Sequence, residues 1–185
     1  MITHADTYKF SVEEYHRLGE AGIFDEDDRV ELLNGEIIIM SPIGKRHAQA
    51  VRRLIKILSR QFAEVALVDC QNALILDNFS EPQPDILLLD PAIDETGELP
   101  RPEDVYFVLE VADSTVRYDS QTKLAAYARV GIAEYWIVNL ADNAIDVHRQ
   151  PKGEIYLEKT RYQRGEKVAP ARFPDRFVGV DEIIP

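Results

Sequence analysis

Two apolar runs in the middle of the chain each carry a carboxylate where a buried strand disfavours one. Asp85 opens DILLLD at residues 85–90, and Glu110 lies near the end of VYFVLEVA at residues 105–112. A carboxylate kept on a core strand is costly unless a cation or a set of hydrogen bonds neutralises it, so such residues have a partner. A divalent metal is the obvious one. Two carboxylates on adjacent strands can hold one Mg²⁺ through one or two oxygens each, leaving the rest of the octahedron to water and a substrate phosphate. Mn²⁺ suits the same oxygen ligands. Lys123, on the helix expected after the second run, can orient or deprotonate an attacking water, or neutralise charge developing on phosphorus. Together the three residues describe metal-dependent phosphodiester hydrolysis. Singly each has a plainer reading: Asp85 begins a strand, Glu110 ends one, and Lys123 is a solvated helix lysine.

The elements that must position these residues follow from the local pattern. After the strand at 105–112, Asp113-Ser114-Thr115 makes a turn and a helix runs from about Asp119 to Val130, closed by Gly131. It places Ser120, Leu124, Tyr127 and Gly131 on one side, with Lys123 at the edge of that side, stacked with Tyr127 at i+4 and able to point inward. EYWIVNL at 134–140 returns as a further apolar strand. Strand, helix and strand with a short return form a crossover unit, which implies parallel pairing.

Upstream, Ser11 with Glu13 and Glu14 opens a short helix through about Leu18, which Gly19 and Gly22 end. In RVELLNGEIIIM, residues 29–40, Asn34-Gly35 between two apolar runs is a strong hairpin signal, with Glu31 and Glu36 flanking the turn. From Gly44 to Phe62, Val51, Leu54, Ile55, Leu58 and Phe62 form one apolar stripe opposite most of the basic residues. His47 projects onto the apolar side near the start of this helix, either as a satisfied core histidine or as a group near the active site. Strand-like runs at 65–69 and 73–76 precede the Pro-rich EPQP that delivers the chain to Asp85. The Pro-, Gly- and acid-rich loop at 91–104 is expected to be mobile at the surface, where it could shield or admit a ligand. The tail, with apolar runs at 144–148, 155–160 and from Lys167 onward, is read as antiparallel strands extending the sheet, broken at Pro151-Lys152-Gly153 and Arg164-Gly165.

Bulk properties restrict the alternatives. The 185 residues, 45% hydrophobic and 29% charged, fit one compact domain spanning 1–185. The single cysteine, Cys70, excludes an internal disulfide, and the N-terminal residues contain no apolar signal region, so a cytoplasmic protein is expected. No apolar run approaches the roughly 20 residues a membrane span needs. His4, His16, His47 and His148 with Cys70 lack zinc-ligand spacing. A net charge of −12 argues against a protein that coats nucleic acid indiscriminately. The charge is unevenly spread, however. Lys45, Arg46, Arg52, Arg53, Lys56 and Arg60 share one segment without a carboxylate, and without those six, 15 basic residues face 33 acidic ones. Either this is a solvated outer face or it contacts a DNA backbone.

The order PD, then an acid near the end of a buried strand, then a helix bearing lysine resembles the PD-(D/E)XK nuclease superfamily. More narrowly, the chain resembles the Uma-type family of restriction-endonuclease-like proteins. The matching pieces are ELLNGEIIIMSPIGKRH (31–47), QPDILL (83–88), VLEVADST (108–115), YDSQTKLAAYARVGIAEYWIV (118–138) and the tail hairpins. The resemblance implies an α/β fold: a restriction-endonuclease-like mixed sheet flanked by helices, with antiparallel C-terminal strands. It also implies a Mg²⁺- or Mn²⁺-dependent endonuclease acting on DNA, metal ligands at Asp85 and Glu110, and a further ligand in the carbonyl of Val111. The acid of the first strand corresponds to Glu31. Where the superfamily pattern has lysine two residues after the second acid, this chain has Ala112, and Lys123 on the next helix offers the ammonium instead. Asp119 is read as an N-cap or a partner for Lys123 rather than a ligand. His47, Gln83, Asp119 and Tyr127 are placed beside the site, and a homodimer is expected from the resemblance alone. Two rivals stand: a catalytically silent module that binds protein, and a metal-dependent hydrolase of a non-DNA substrate.

Overall fold

The computed structural model describes residues 7–25, 28–113 and 115–185. The first helix, α1 (Val12–Glu20), starts where its sequence requires: Ser11 and Glu14 form a reciprocal capping box. Strands β1 (Val30–Leu33) and β2 (Glu36–Ile39) form the expected hairpin, with Asn34 and Gly35 both at positive φ, 53° and 74°, as a type I′ turn demands. The long helix α2 (Lys45–Phe62) follows.

A six-stranded mixed sheet forms the centre, in the order β3 (Leu67–Asp69), β4 (Ile86–Leu89), β5 (Val105–Ala112), β6 (Glu134–Asn139), β7 (Ala144–Lys152) and β8 (Ile155–Tyr162). Only β5 and β6 pair in parallel, as the crossover helix requires; every other neighbour is antiparallel. The crossover contains α3 (Val116–Tyr118), a π-helical turn (Asp119–Lys123) and α4 (Leu124–Arg129) in one continuous helical run. On one face of the sheet, Ile86, Leu88, Phe107, Leu109, Trp136 and Val138 pack against Leu54, Leu58 and Phe62 of α2. On the other, Leu87, Val108, Tyr135 and Ile137 pack against Ala126 and Tyr127 of α4. The result is a helix–sheet–helix sandwich whose central strands, covered on both sides, are apolar almost throughout.

Several local expectations are corrected. The run at 73–76 is extended but is not a strand: Leu74, Ile75 and Leu76 donate singly to the carbonyls of Pro82, Pro100 and Ser80, so no ladder forms. The loop at 91–104 is pinned by two 3₁₀ turns (Pro91–Glu95 and Pro102–Asp104), the first capped by Asp90 and anchored by buried Ile93, and it contributes nothing to the main cleft. Strand β7 continues through Pro151, which lies beyond the reach of β6 and so forfeits no bond to it. The residues after Lys167 do not extend the main sheet; β9 (Lys167–Val168) and β10 (Val178–Gly179) form a separate ribbon leading into α5 (Val180–Ile183). On α2, Ala50 and Ile57 are buried, while Ile55 is only half-buried. The expected turn at 113–115 includes Ser114, which lies outside the described residues.

Candidate active site

Antiparallel register brings the two strand carboxylates together. Ile86 pairs with Leu109, so the next step along each strand sets Asp85 opposite Glu110, and the Asp85 amide donates to Glu110 Oε2 at 3.3 Å. Both residues are buried, as are Glu31, Asp119 and Lys123. Lys123 Nζ lies 2.9 Å from Glu110 Oε1 and 3.1 Å from Glu31 Oε2, forming a carboxylate–ammonium–carboxylate triad.

Each acid is held from a second direction. Asp85 Oδ2 accepts the Val111 amide at 2.8 Å and lies 2.9 Å from His47 Nε2, while Oδ1 accepts from Gln71 Nε2 at 3.1 Å. Tyr127 donates its hydroxyl to Glu110 Oε1 at 3.0 Å. Glu31 Oε1 accepts from Tyr118 at 3.1 Å, and Glu31 Oε2 accepts the backbone amide of Gln83 at 3.0 Å. Asp119 accepts from Thr115 Oγ1 at 2.6 Å.

The electrostatics are unbalanced. Four buried carboxylates face one buried ammonium. Burial pushes Glu110 up to about 8, opposed by Lys123 and reinforced by Asp85, Asp119 and Glu31. Burial likewise raises Asp119 to about 6, against the pull of Lys123. At Asp85 burial also pushes upward, but hydrogen bonds from His47, Val111 and Gln71 outweigh it and hold the carboxyl below its ordinary range. Burial would lower Lys123, yet Glu110, Glu31 and Asp119 hold it well above the usual lysine value. The acids around Lys123 favour its charged form and leave it placed as a hydrogen-bond donor within the cleft floor.

These groups form the floor of a cleft of about 620 Å³. One wall is apolar: Ile38 and Ile39 from β2, then Met40, Pro42 and Ile43; Arg29 and Arg117 add cations to the lining. The excess of negative charge and the all-oxygen donors suit a hard divalent cation. Glu110 Oε1 is engaged by Lys123 and Tyr127, while Oε2 accepts the longer 3.3 Å bond from the Asp85 amide and is the less engaged oxygen. Among the described residues, no three His, Cys, Asp or Glu side chains converge as a complete cation site. The fit rests on the two-carboxylate nucleus and its charge.

The residues singled out from sequence fall into two groups. Asp85, Glu110, Val111, Lys123, Glu31, His47 and Asp119 all line the cleft, and Tyr127 supports Glu110 from within the core. His47 is thus at the cleft rather than a satisfied core histidine, and its buried Nδ1 has no hydrogen-bond partner among the described residues. Gln83 contributes its backbone to Glu31, but its side chain turns to the Val30 carbonyl and lines a separate surface pocket. Sequence reasoning missed Gln71, Tyr118 and Thr115. A regular helical ruler sets Tyr118 well off the Lys123 side, and Gln71 sits in a loop at positive φ with no motif around it.

No curated protein matches the chain. Among solved structures, one from Anabaena variabilis, described as a "putative nuclease belonging to DUF820", superposes with a TM-score of 0.73 at 13% identity, covering 94% of this chain and 97% of that one. At that identity the likeness shows a shared fold. A family model described as "Putative restriction endonuclease" matches residues 12–179. The chain therefore belongs to that family, Uma2.

Proposed function

We propose that this protein is a divalent-metal-dependent endonuclease that hydrolyses DNA phosphodiester bonds in the cleft floored by Asp85, Glu110, Lys123 and Glu31. The observation that carries the reading is the register-opposed pair Asp85 and Glu110, buried beside Lys123 with more carboxylates than cations around them. Asp85, Glu110 and the carbonyl of Val111 would hold Mg²⁺ or Mn²⁺. When bound, the cation supplies charge neutralisation at the phosphate and acidifies water.

The chain's own residues do the rest. His47, Gln71 and the Val111 amide fix the Asp85 carboxylate, so its oxygens present to the cleft without rotational freedom. Tyr127 and Lys123 fix Glu110 from the opposite side. Lys123, held as an ammonium, directs N–H donors toward the site where negative charge develops as water adds to phosphorus and the ester oxygen departs. Glu31 and Tyr118 keep that ammonium in place and out of contact with bulk water.

The test is cleavage of supercoiled plasmid and of single-stranded and branched DNA with Mg²⁺ or Mn²⁺, comparing the natural protein with Asp85→Ala and Lys123→Ala. Metal-dependent cutting abolished by both substitutions supports the reading. Equal cutting by the variants, or none by the natural protein, moves the non-catalytic module or a different hydrolase ahead, and calorimetric Mn²⁺ binding lost in Asp85→Ala then separates those two.

A further inference from the structure

The cleft accounts for the buried acids but not for the six cations of α2, and these divide into two sets. Arg46 donates to the Leu140 carbonyl at 2.8 Å and lies 3.7 Å from Asp113; Arg53 donates to the Ile184 carbonyl at 2.9 Å. Those two tie the helix to the end of β6 and to the C-terminal segment. Lys45, Arg52, Lys56 and Arg60 are exposed, and among the described residues none of them has a carboxylate within 4.0 Å. Elsewhere Lys9, Arg17, Arg129 and Arg164 pair with Glu36, Glu13, Asp77 and Asp181, and the exposed cations without such a partner among the described residues, Arg101, Arg117, Lys152, Lys167 and Arg172, are scattered over several elements rather than aligned on one helix face.

Steps of seven, four and four residues keep the four free cations within about 80° of one another around the helix and spread them over about 22 Å of its length. Their face is opposite the one that packs on the sheet, and α2 contains no acid. The first turn of the same helix supplies Gly44 and His47 to the cleft lining, so the stripe begins at the cleft rim.

We infer that the outer face of α2 is a docking surface for the phosphodiester backbone of duplex DNA, leading the polymer to the cleft. The identity of the polymer rests on the nuclease reading above; the contact itself does not require cleavage. The complementarity is local. With those cations set aside the rest of the molecule is strongly acidic and repels a polyanion, so the stripe fixes orientation as well as attraction. Phosphates along one strand wind around the duplex, so the stripe lies along the backbone rather than along the duplex axis to offer its four cations to phosphates.

The experiment is fluorescence anisotropy of a labelled duplex of random sequence in EDTA, titrated with the natural protein and with the triple variant Arg52→Gln, Lys56→Gln, Arg60→Gln over a range of NaCl. Glutamine is a good helix former at exposed positions, and circular dichroism checks that α2 is retained. Loss of three phosphate contacts flattens the slope of log K against log salt by about 2.7, so between ~50 and ~200 mM salt the natural protein loses affinity about 40-fold more than the variant. Equal affinity and equal slope overturn the inference, as does absence of duplex binding by the natural protein or binding only to anionic vesicles. Stripe-dependent binding without cleavage in Mg²⁺ or Mn²⁺ leaves the docking surface standing and the nuclease reading fallen. Cleavage with stripe-independent binding does the reverse.

Discussion

Replacing Lys123 by methionine removes the ammonium of the cleft floor while keeping a side chain of similar length. Its Nζ lies 2.9 Å from Glu110 and 3.1 Å from Glu31, and the three side chains are between 1% and 5% exposed. At an effective dielectric of about 20, each contact at about 3 Å is a Coulombic attraction of about 5–6 kcal/mol, most of it offset by desolvation of the ions. What the substitution exposes is the unpaired remainder: two buried carboxylates left with Tyr118, Tyr127 and the Gln83 amide as donors. Breaking a buried pair in this way costs about 3–5 kcal/mol. Glu110, already pushed up to about 8, takes a proton readily and relieves part of that strain, which sets the expected loss at the lower end, about 3 kcal/mol at neutral pH. For a chain of this size that is a fall in Tm of about 6–12 °C. Adding Glu31→Gln to Lys123→Met removes the other carboxylate that contacted the ammonium and should recover about 2 kcal/mol, a coupling visible in a double-mutant cycle. Urea unfolding of the four proteins in EDTA measures it. A Lys123→Met protein within about 0.5 kcal/mol of the natural one, or strictly additive effects, would refute a charge-coupled triad.

Three further outcomes are expected. His148, buried on β7 between Tyr135 and Tyr156, is lowered to about 4 by burial and by Lys159, with Asp146 opposing. Between that value and the unfolded value near 6.5 the unfolded chain binds the extra proton, so stability should fall as pH drops through this window, by at most about 3 kcal/mol, and His148→Phe should flatten that part of the curve. An unchanged slope in the variant would assign the acid sensitivity elsewhere. Glu134 accepts from Arg149 at 2.7 Å, Trp136 at 2.6 Å and the Ala171 amide at 2.7 Å, so Glu134→Ala should cost about 3 kcal/mol in denaturant unfolding; a loss below about 1 kcal/mol would show that the tail does not depend on it. Gly35→Ala places a Cβ 2.7 Å from the Lys9 Cβ at φ +74°, so the hairpin should lose more than about 1 kcal/mol, and a thermal melt showing stabilisation would contradict the backbone account.

Much of the site could be read from sequence because its residues violate the pattern around them. Asp85 and Glu110 stand out in runs that are otherwise apolar, and the same apolarity forces both runs to be adjacent, doubly covered strands. Glu31 was reached through family resemblance and the hairpin signal of Asn34-Gly35. Gln71 was not reachable, since nothing local distinguishes a loop glutamine that bonds a carboxylate from one that faces water. Nor was the division of the α2 cations: Arg46 and Arg53 are fixed by carbonyls almost a hundred or more residues away, a fact carried by tertiary structure alone. The short pairing of β9 with β10 was missed for the same reason, as two-residue strands have no periodicity to read.

The π-helical turn at Asp119–Lys123 carries one residue more than an α-helical turn would. Because the surplus lies inside a helix and not in a loop, it works as a phase adjuster between two segments that answer to different constraints. Tyr118 and Asp119 on one side are aimed at Glu31 and the cleft, while Ala126 and Tyr127 on the other must seat on the sheet. Winding this turn as a plain α-helix at unchanged length would rotate one segment against the other by about one residue's step of 100°, so the helix could satisfy its core seat or its cleft, but not both. Length and winding are therefore coupled along this stretch: the wider turn already absorbs one surplus residue, and a further insertion there has no loop to take it up, whereas the exposed turn at Gly153 can absorb one.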